Sequence, residues 1–126
     1  MKYLILLLLL TQFTFSQERK YSFEYRENRT PDGWEKVQTP GDVIFYEDKY
    51  SNTVTIITKN KFEYLYVKSK QLFLRQDTFL YTLVDEDYKE CSFRVIVLGT
   101  LDNLELYYYS DRKEEKYYRL ILKKCE

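Results

Sequence analysis

The 126-residue sequence contains no histidine and no alanine. Histidine is the side chain whose ordinary pKa suits proton transfer near neutral pH. Its absence excludes Ser-His-Asp and Cys-His catalysis and histidine-ligated zinc. Alanine is the strongest helix former, so a chain without it is expected to consist of strands. No nucleotide-binding or metal-binding motif is present either, and we expect no catalytic residues, no metal and no cofactor.

The chain also lacks an excess of charge of either sign. Its 20 basic residues balance 20 acidic ones. A protein that binds nucleic acid electrostatically shows a basic excess, and one that clamps to an anionic membrane shows a polybasic segment. We therefore expect neither nucleic acid nor an anionic membrane surface as a partner.

The first 16 residues have the order of a cleavable signal peptide. Lys2 precedes an apolar run over residues 3–10, and Thr14 and Ser16 place small residues just before the expected cut. This charged, apolar, small-residue order is typical of export signals. An uncleaved anchor is the alternative, but a spanning helix needs about 20 apolar residues and polar residues resume at Gln17. We predict a periplasmic or secreted protein that does not span a membrane after cleavage.

Removal of 16 residues from 126 leaves 110, which is the size of a single domain. Within residues 17–126, we expect residues 17–42 to form an N-terminal strand and a loop that covers the sheet. The loop expectation rests on Glu27–Asp42, which holds both prolines and two of the three glycines. Residues 43–126 are expected to form a meander.

Alternation of apolar and polar residues with a period of two predicts eight strands. The gaps between them are short and polar, which favours antiparallel neighbours. The fold class is therefore all-β, an antiparallel up-and-down meander of about eight strands that forms a closed or partly open barrel. The predicted strands are Tyr21–Arg26, Val43–Glu47, Thr53–Lys59, Phe62–Lys68, Thr78–Val84, Cys91–Leu98, Leu104–Tyr109 and Tyr117–Leu122.

Eight antiparallel strands in sequence resemble the lipocalin-like families. Those families carry a Gly-x-Trp signature at the first strand, whereas this chain has Gly33 and Trp34 adjacent and inside the predicted loop. The resemblance implies a closed up-and-down barrel. The leader and the abundance of Lys, Tyr, Phe, Ile and Asn resemble those of small exported proteins of the Bacteroidota.

Two predicted strands, Thr78–Val84 and Cys91–Leu98, are apolar on both faces, with Leu80 and Ile96 on the second face. A sheet with one face in water should alternate cleanly. We therefore expect the second face to be covered by residues 17–42, by another subunit or by a ligand.

Export would favour a disulfide between the two cysteines, Cys91 and Cys125. In a meander they lie at opposite ends of the sheet, roughly 20–25 Å apart at about 3.3 Å per residue. A disulfide needs Cα atoms within about 7 Å. Either the cysteines are unpaired or the meander order is wrong.

The 14 tyrosines and the single tryptophan are the most unusual feature of the composition. Both side chains combine an apolar ring with a polar group, which suits contacts with ligands, glycans or proteins. The alternative is that tyrosine is a good strand former that sits half-buried. The candidate ligand-binding residues are Trp34, Tyr64, Tyr66, Tyr107 and Tyr109.

Carboxylates offer two weaker possibilities. The run Asp85–Asp87 begins like a calcium loop, but no glycine follows it, and acidic residues are also common in plain turns. Paired carboxylates are sufficient for glycoside hydrolysis, yet none of Asp77, Asp85 and Glu105 is distinguished by its neighbours.

The leading hypothesis is a non-enzymatic binding module for a small apolar molecule, a glycan or an envelope protein. The second hypothesis is a structural or assembly protein that buries an apolar sheet face against a partner chain. A small carboxylate-dependent hydrolase is the third.

Overall fold

A computed structural model describes residues 17–110 and 116–125; the predicted signal peptide lies outside these ranges. The described chain is all-β, with a 3-10 turn at Leu74–Gln76. Within it, no helix has the length and hydropathy of a membrane span. The strands are β1 Gln17–Phe23, β2 Arg26–Thr30, β3 Gly33–Val37, β4 Gly41–Glu47, β5 Asn52–Thr58, β6 Lys61–Phe73, β7 Thr78–Val84, β8 Glu90–Val97, β9 Asn103–Ser110 and β10 Lys116–Lys124.

The strands close into an eight-stranded up-and-down barrel. The order around the ring is β1-β4-β5-β6-β7-β8-β9-β10, and β10 pairs back onto β1. Tyr21 lies opposite Lys124 and Ser22 opposite Lys123 at this closing seam. The prediction of an antiparallel meander is confirmed, and the barrel is closed.

The first four strands form one long hairpin, and both β1 and β2 pair with β10. Strand β1 pairs with β4, and β2 pairs with both β3 and β10. The prediction of a loop over Glu27–Asp42 is wrong, because these residues form β2, β3 and the start of β4. Pro31 lies in the tight turn between β2 and β3, and Pro40 lies between β3 and β4. Neither proline therefore interrupts a ladder of hydrogen bonds.

Alternate residues of each strand face the inside of the barrel. Along β9 the inward residues are Leu104, Leu106, Tyr108 and Ser110, all of them buried. We call the end near Leu104 the upper end and the end near Ser110 the lower end. Fully buried side chains of the strands fill the middle of the barrel, since the interior of an eight-stranded barrel is just wide enough for side chains. They include Val43, Val54, Leu83, Phe93, Leu106 and Leu120.

The ring of Phe23 on β1 occupies the space that a side chain would need at Gly41, the first residue of β4. A Cβ atom on Gly41 would lie 2.5 Å from Phe23 Cζ and 2.4 Å from the carbonyl oxygen of Ile57. The ring of Phe23 is 5 % exposed as a result of this packing.

The second apolar face of the central strands lies on the outside of the barrel. Leu80 and Leu98 are 39 % and 42 % exposed there. The expectation that residues 17–42 cover this face is wrong for both residues, because that segment forms barrel strands of its own. A closed barrel has a single interior, and its outward apolar side chains are only partly screened by their neighbours.

Both cysteines are free. Cys91 is buried at the lower end of the barrel, at the start of β8, whereas Cys125 follows β10 at the upper end. The structure therefore agrees with the unpaired alternative and keeps the meander order.

Candidate functional site

The structure divides the five aromatic candidates between two parts of the barrel surface. Trp34, Tyr107 and Tyr109 belong to a cluster on the outside of β3, β9 and β10. Tyr64 and Tyr66 form a separate pair on β6. Of the five, only Tyr64 also borders a cavity of the barrel.

Trp34 of the β2–β3 hairpin packs against the outer side of β9 and β10. Its ring lies 6.1 Å from Tyr107 and 5.5 Å from Tyr117 between centroids. The guanidinium of Arg119 sits 4.3 Å from the Trp34 ring. Arg119 also donates two hydrogen bonds to the Glu27 carboxylate, at 2.9 and 3.1 Å. These contacts give Trp34 a structural role.

The pair on β6 shields polar residues of β5. The rings of Tyr64 and Tyr66 are 5.1 Å apart and nearly perpendicular. They lie opposite Thr55 and Thr53, which are only 8 % and 3 % exposed although they face away from the core. Here the tyrosines act as half-buried strand residues.

A cavity of about 240 Å³ opens at the upper end of the barrel. The rings of Tyr21 and Phe45 meet edge to face at 5.7 Å on its floor, and Phe45 lies 5.9 Å from Tyr81. No sequence pattern indicates this cavity, although Phe45 and Tyr81 lie in predicted strands. The side chains that line the floor are Tyr21, Phe45, Phe79, Tyr81, Val95 and Leu104.

The rim of the upper cavity carries two cations and one carboxylate. Lys70 Nζ lies 3.8 Å from Glu47, and it also approaches the rings of Phe79 and Tyr81 at 5.2 and 5.7 Å. Arg19 has no carboxylate within ion-pair distance among the described residues. One positive charge on the rim is thus left unbalanced.

The phenols on the floor of the upper cavity are neutral near pH 7. Burial raises the pKa of Tyr81 to about 12 and also raises the pKa of Tyr21, although the nearby Arg19 charge opposes both shifts. The Tyr21 hydroxyl donates to the carbonyl oxygen of Leu101 at 2.8 Å. The floor is therefore uncharged.

A second cavity of about 330 Å³ lies at the lower end. Tyr108 and Tyr118 stack there with centroids 4.6 Å apart, and the Arg26 guanidinium lies 5.2 Å from the Tyr118 ring. Lys61 and Glu63 pair at 2.9 Å at its edge. The acidic run 85–87 completes the lining.

Two buried polar atoms in this lower cavity have no hydrogen-bond partner in the described structure: Arg26 Nε and Ser110 Oγ. Ser110 is 2 % exposed. Buried polar groups in folded proteins are nearly always hydrogen-bonded, so two such atoms in one cavity require an explanation.

Tyr108 and Tyr118 line the lower cavity, and Cys91 lies beside Tyr108. Burial raises the pKa of the Cys91 thiol to about 11 and raises the pKa values of Tyr108 and Tyr118 beyond their ordinary range. The Cys91 thiol is therefore protonated near neutral pH, and a protonated thiol is a poor nucleophile.

The remaining carboxylate candidates are not brought together. Asp77 lies at the upper end of the barrel, and Glu105 accepts a hydrogen bond from the Tyr107 hydroxyl on β9. The Asp85 carboxylate accepts the backbone N–H groups of Asp87 and Lys89 at 2.9 and 3.0 Å, which is turn chemistry. Across residues 17–110 and 116–125, no three Cys, Asp or Glu side chains are grouped to hold a metal ion.

Comparison with known proteins returned no match: no family model, no curated protein and no solved structure matches this chain.

Proposed function

We propose that this chain is a non-enzymatic binding protein whose upper cavity holds one small, mostly apolar molecule with an anionic group. The observation that carries the proposal is an open cavity with a floor of uncharged aromatic rings and, at its rim, Arg19, which has no ion pair within residues 17–110 and 116–125. Ligand sites are typically apolar concavities with a few polar groups that fix orientation. The interior of an eight-stranded barrel can hold one small ligand.

The floor favours an apolar ligand body. Tyr21, Phe45 and Tyr81 present ring edges and faces at centroid distances of 5.7 and 5.9 Å. Each 100 Å² of apolar surface that a ligand buries there contributes about 2.5 kcal/mol before the costs of association. A flexible chain or a small ring can adapt to this floor.

The rim favours an anion. Glu47 pairs with Lys70, and Arg19 is the cation of the rim that has no carboxylate within ion-pair distance among the described residues. Arginine presents paired donors that match a carboxylate in a bidentate geometry. We expect the ligand to lie with its acidic group at the mouth and its apolar part inside.

The leader and the fold support two further parts of the proposal. The order of charged, apolar and small residues in positions 1–16 supports export to the periplasm or the medium. A closed up-and-down barrel with a cavity at its end is the arrangement of lipocalin-like proteins, and this supports a carrier role.

Calorimetric titration with octanoate, octanol and octylammonium tests it. These probes share one apolar chain and differ in the charge of the headgroup. We expect octanoate to bind most tightly and octylammonium least. Arg19→Gln should weaken octanoate by roughly tenfold, the size of one charge-assisted hydrogen bond, and leave octanol unchanged.

Arg94→Gln is the matched control, because Arg94 is exposed and does not line the cavity. If none of the three probes binds at about 1 mM, which corresponds to only about 4 kcal/mol, the proposal fails. It fails equally if Arg19→Gln weakens octanoate and octanol alike.

Assembly with a partner chain is the second candidate function. The observation that favours it is a cluster of exposed apolar side chains where β6 ends, at Leu72, Phe73 and Leu74, which are 48 %, 37 % and 77 % exposed. Sedimentation velocity of the wild type and of Leu74→Ser separates the two candidates. A monomer in both samples removes self-assembly, whereas a wild-type oligomer that Leu74→Ser dissociates supports it.

A further inference from the structure

Strand β6 extends past its neighbour β5 at the upper end of the barrel. Its residues 61–66 pair with β5, whereas from residue 67 to residue 73 it is paired only with β7. All six residues from Lys68 to Phe73 are exposed. We call residues 67–73 the β6 edge. The backbone groups of this edge that point away from β7 have no partner strand within residues 17–110 and 116–125.

A similar stagger at the lower end of the barrel is covered by the chain itself. There β10 pairs with β1 only at Lys123 and Lys124, so the rest of β10 extends past β1. Strand β2 takes the vacant place and pairs with Tyr118–Leu120 of β10. A strand edge that protrudes in this way is a template for a further strand. The described chain supplies that strand at β10 and supplies none at the β6 edge.

Apolar side chains at the β6 edge would gain from being covered. Leu72 and Phe73 are adjacent in the strand and therefore lie on opposite faces of it, and both are exposed. Leu74, which follows directly, is exposed as well. An added strand would bond to the free backbone groups and remove part of this apolar surface from water, and both effects favour association.

The lysines of the β6 edge do not leave it charged. Exposed edges are commonly protected by charged side chains, lysine in particular. Here Lys68 pairs with Glu90 at 3.5 Å, and Lys70 pairs with Glu47 at 3.8 Å. Because both lysines have a carboxylate in the same molecule, a partner does not need to bring charge of the opposite sign. This favours a partner edge of the same composition over an acidic peptide.

We propose that the β6 edge is a dimer interface, at which two copies of this chain pair antiparallel about a two-fold axis. The same edge on both copies then supplies complementary backbone donors and acceptors. The proposal rests on the assembly function suggested above for the end of β6, and it names the partner and the geometry. It does not depend on the ligand of the upper cavity.

Two-fold symmetry and charge together select the register of this pairing. In a symmetric antiparallel pair, one residue lies opposite its own copy. Centres at residues 69 and 70 would each place two lysines directly opposite one another, which is destabilising. A centre at Gln71 places Lys70 opposite Leu72 and Ser69 opposite Phe73, and it pairs residues 69–73 of each copy. A centre at Leu72 would pair only residues 71–73, so we expect the centre at Gln71.

Sedimentation velocity over about 1 to 300 µM protein tests the interface. We expect the wild type to pass from monomer to dimer within this range. Gln71→Lys should raise the dissociation constant of the dimer by at least about fivefold, because it places two like charges opposite each other across the axis. Gln38→Lys is the matched control, since Gln38 is exposed and follows β3 at the lower end. It should leave the dissociation constant unchanged.

Disulfide cross-linking tests the register. Gln71→Cys is prepared in a Cys125→Ser background, because Cys91 is buried and Cys125 is partly exposed. Mild oxidation with copper phenanthroline should link the two copies at residue 71, whose Cα atoms would lie within the roughly 7 Å that a disulfide needs. Leu80→Cys in the same background is the control. Leu80 lies opposite Gln71 on β7, so its two copies would be roughly 15 Å apart, three strand spacings of about 4.8 Å.

The outcomes separate this proposal from the assembly function on which it rests. A monomer at every concentration would overturn both. A dimer that Leu74→Ser dissociates, but that Gln71→Lys and Gln38→Lys affect alike, would support assembly and overturn edge pairing. Cross-linking that is equal at Gln71→Cys and Leu80→Cys, or absent at Gln71→Cys, would also overturn edge pairing. Far-ultraviolet circular dichroism checks that each variant keeps its strands.

Discussion

At the scale of single residues, Ser110 leads to a prediction that does not depend on any ligand. A buried hydroxyl without a partner has lost its hydrogen bonds to water and gained none in return. We expect Ser110→Ala to raise the free energy of unfolding of the ligand-free protein by about 1 kcal/mol, measured by urea denaturation. The half-buried Ser92, replaced in the same way, is the control. A loss of stability would show that Oγ is hydrogen-bonded after all.

Burial of ionisable groups predicts loss of stability in alkali. The pKa of Cys91 rises from 9.0 to about 11 and that of Tyr81 from 10.0 to about 12, both chiefly because of burial. The unfolded chain loses these protons first, so the stabilisation is complete below about pH 9 and is lost as the pH rises through 9–12. Between its pKa in the unfolded chain and its pKa in the folded protein, each group lowers the free energy of unfolding by about 1.4 kcal/mol per pH unit.

Urea denaturation at several pH values between 8 and 11 measures this effect. Cys91→Val should flatten the first part of the decline, where only the thiol is titrating. A wild-type midpoint that stays constant from pH 8 to 11 would contradict the prediction.

At the scale of elements, the β2–β3 hairpin depends on contacts with the outside of β10. Glu27→Gln removes the anionic partner of Arg119, whose guanidinium also packs on Trp34. Because the pair is only partly exposed and has two-point geometry, we expect a loss of about 1 kcal/mol. Amide hydrogen exchange should speed up in residues 26–37 and remain unchanged in β8. Glu35→Gln, exposed on β3, is the control, and equal acceleration throughout the barrel would rule out a local role.

Sequence patterns located most strands to within one or two residues, because polar turns bound them. Thr53–Lys59 was predicted where β5 spans Asn52–Thr58, and Cys91–Leu98 where β8 spans Glu90–Val97. Strand β6 is longer than predicted, since an irregularity between Val67 and Ser69 shifts its alternation by one residue. A two-residue periodicity does not continue across such a shift.

The candidate site was harder to predict, because both faces of the relevant strands are apolar or aromatic. On β9, Tyr107 and Tyr109 alternate with Leu106 and Tyr108, and only the register of the closed barrel makes the latter pair the inner one. The sequence shows that aromatic residues are abundant on these strands, but it does not show which of them face the inside of the barrel and which face the outside. No sequence pattern distinguishes Arg26 or Ser110. Each stands out only in the structure, because it has a buried polar atom without a hydrogen-bond partner among the described residues.

At the scale of the whole molecule, closure of the ring brings the two ends of the described chain together. The backbone N–H of Cys125 donates to the carbonyl oxygen of Lys20 at 2.9 Å. We expect a circular permutant that joins residue 125 to residue 17 and opens the exposed turn at residues 48–51 to form the same barrel, since termini at exposed turns are well tolerated. Far-ultraviolet circular dichroism and the binding titrations check this, and a permutant that stays unfolded would contradict it.

The pairing between β1 and β10 also determines when, during synthesis of the chain, the barrel can close. Its paired residues, Tyr21 with Lys124 and Ser22 with Lys123, are separated by almost the entire described chain. A nascent polypeptide therefore cannot seal the ring until its last strand has emerged, and such long-range pairing is intrinsically slow. Until then two bare strand edges remain open to other chains, so a chain truncated before β10 is expected to aggregate instead of folding.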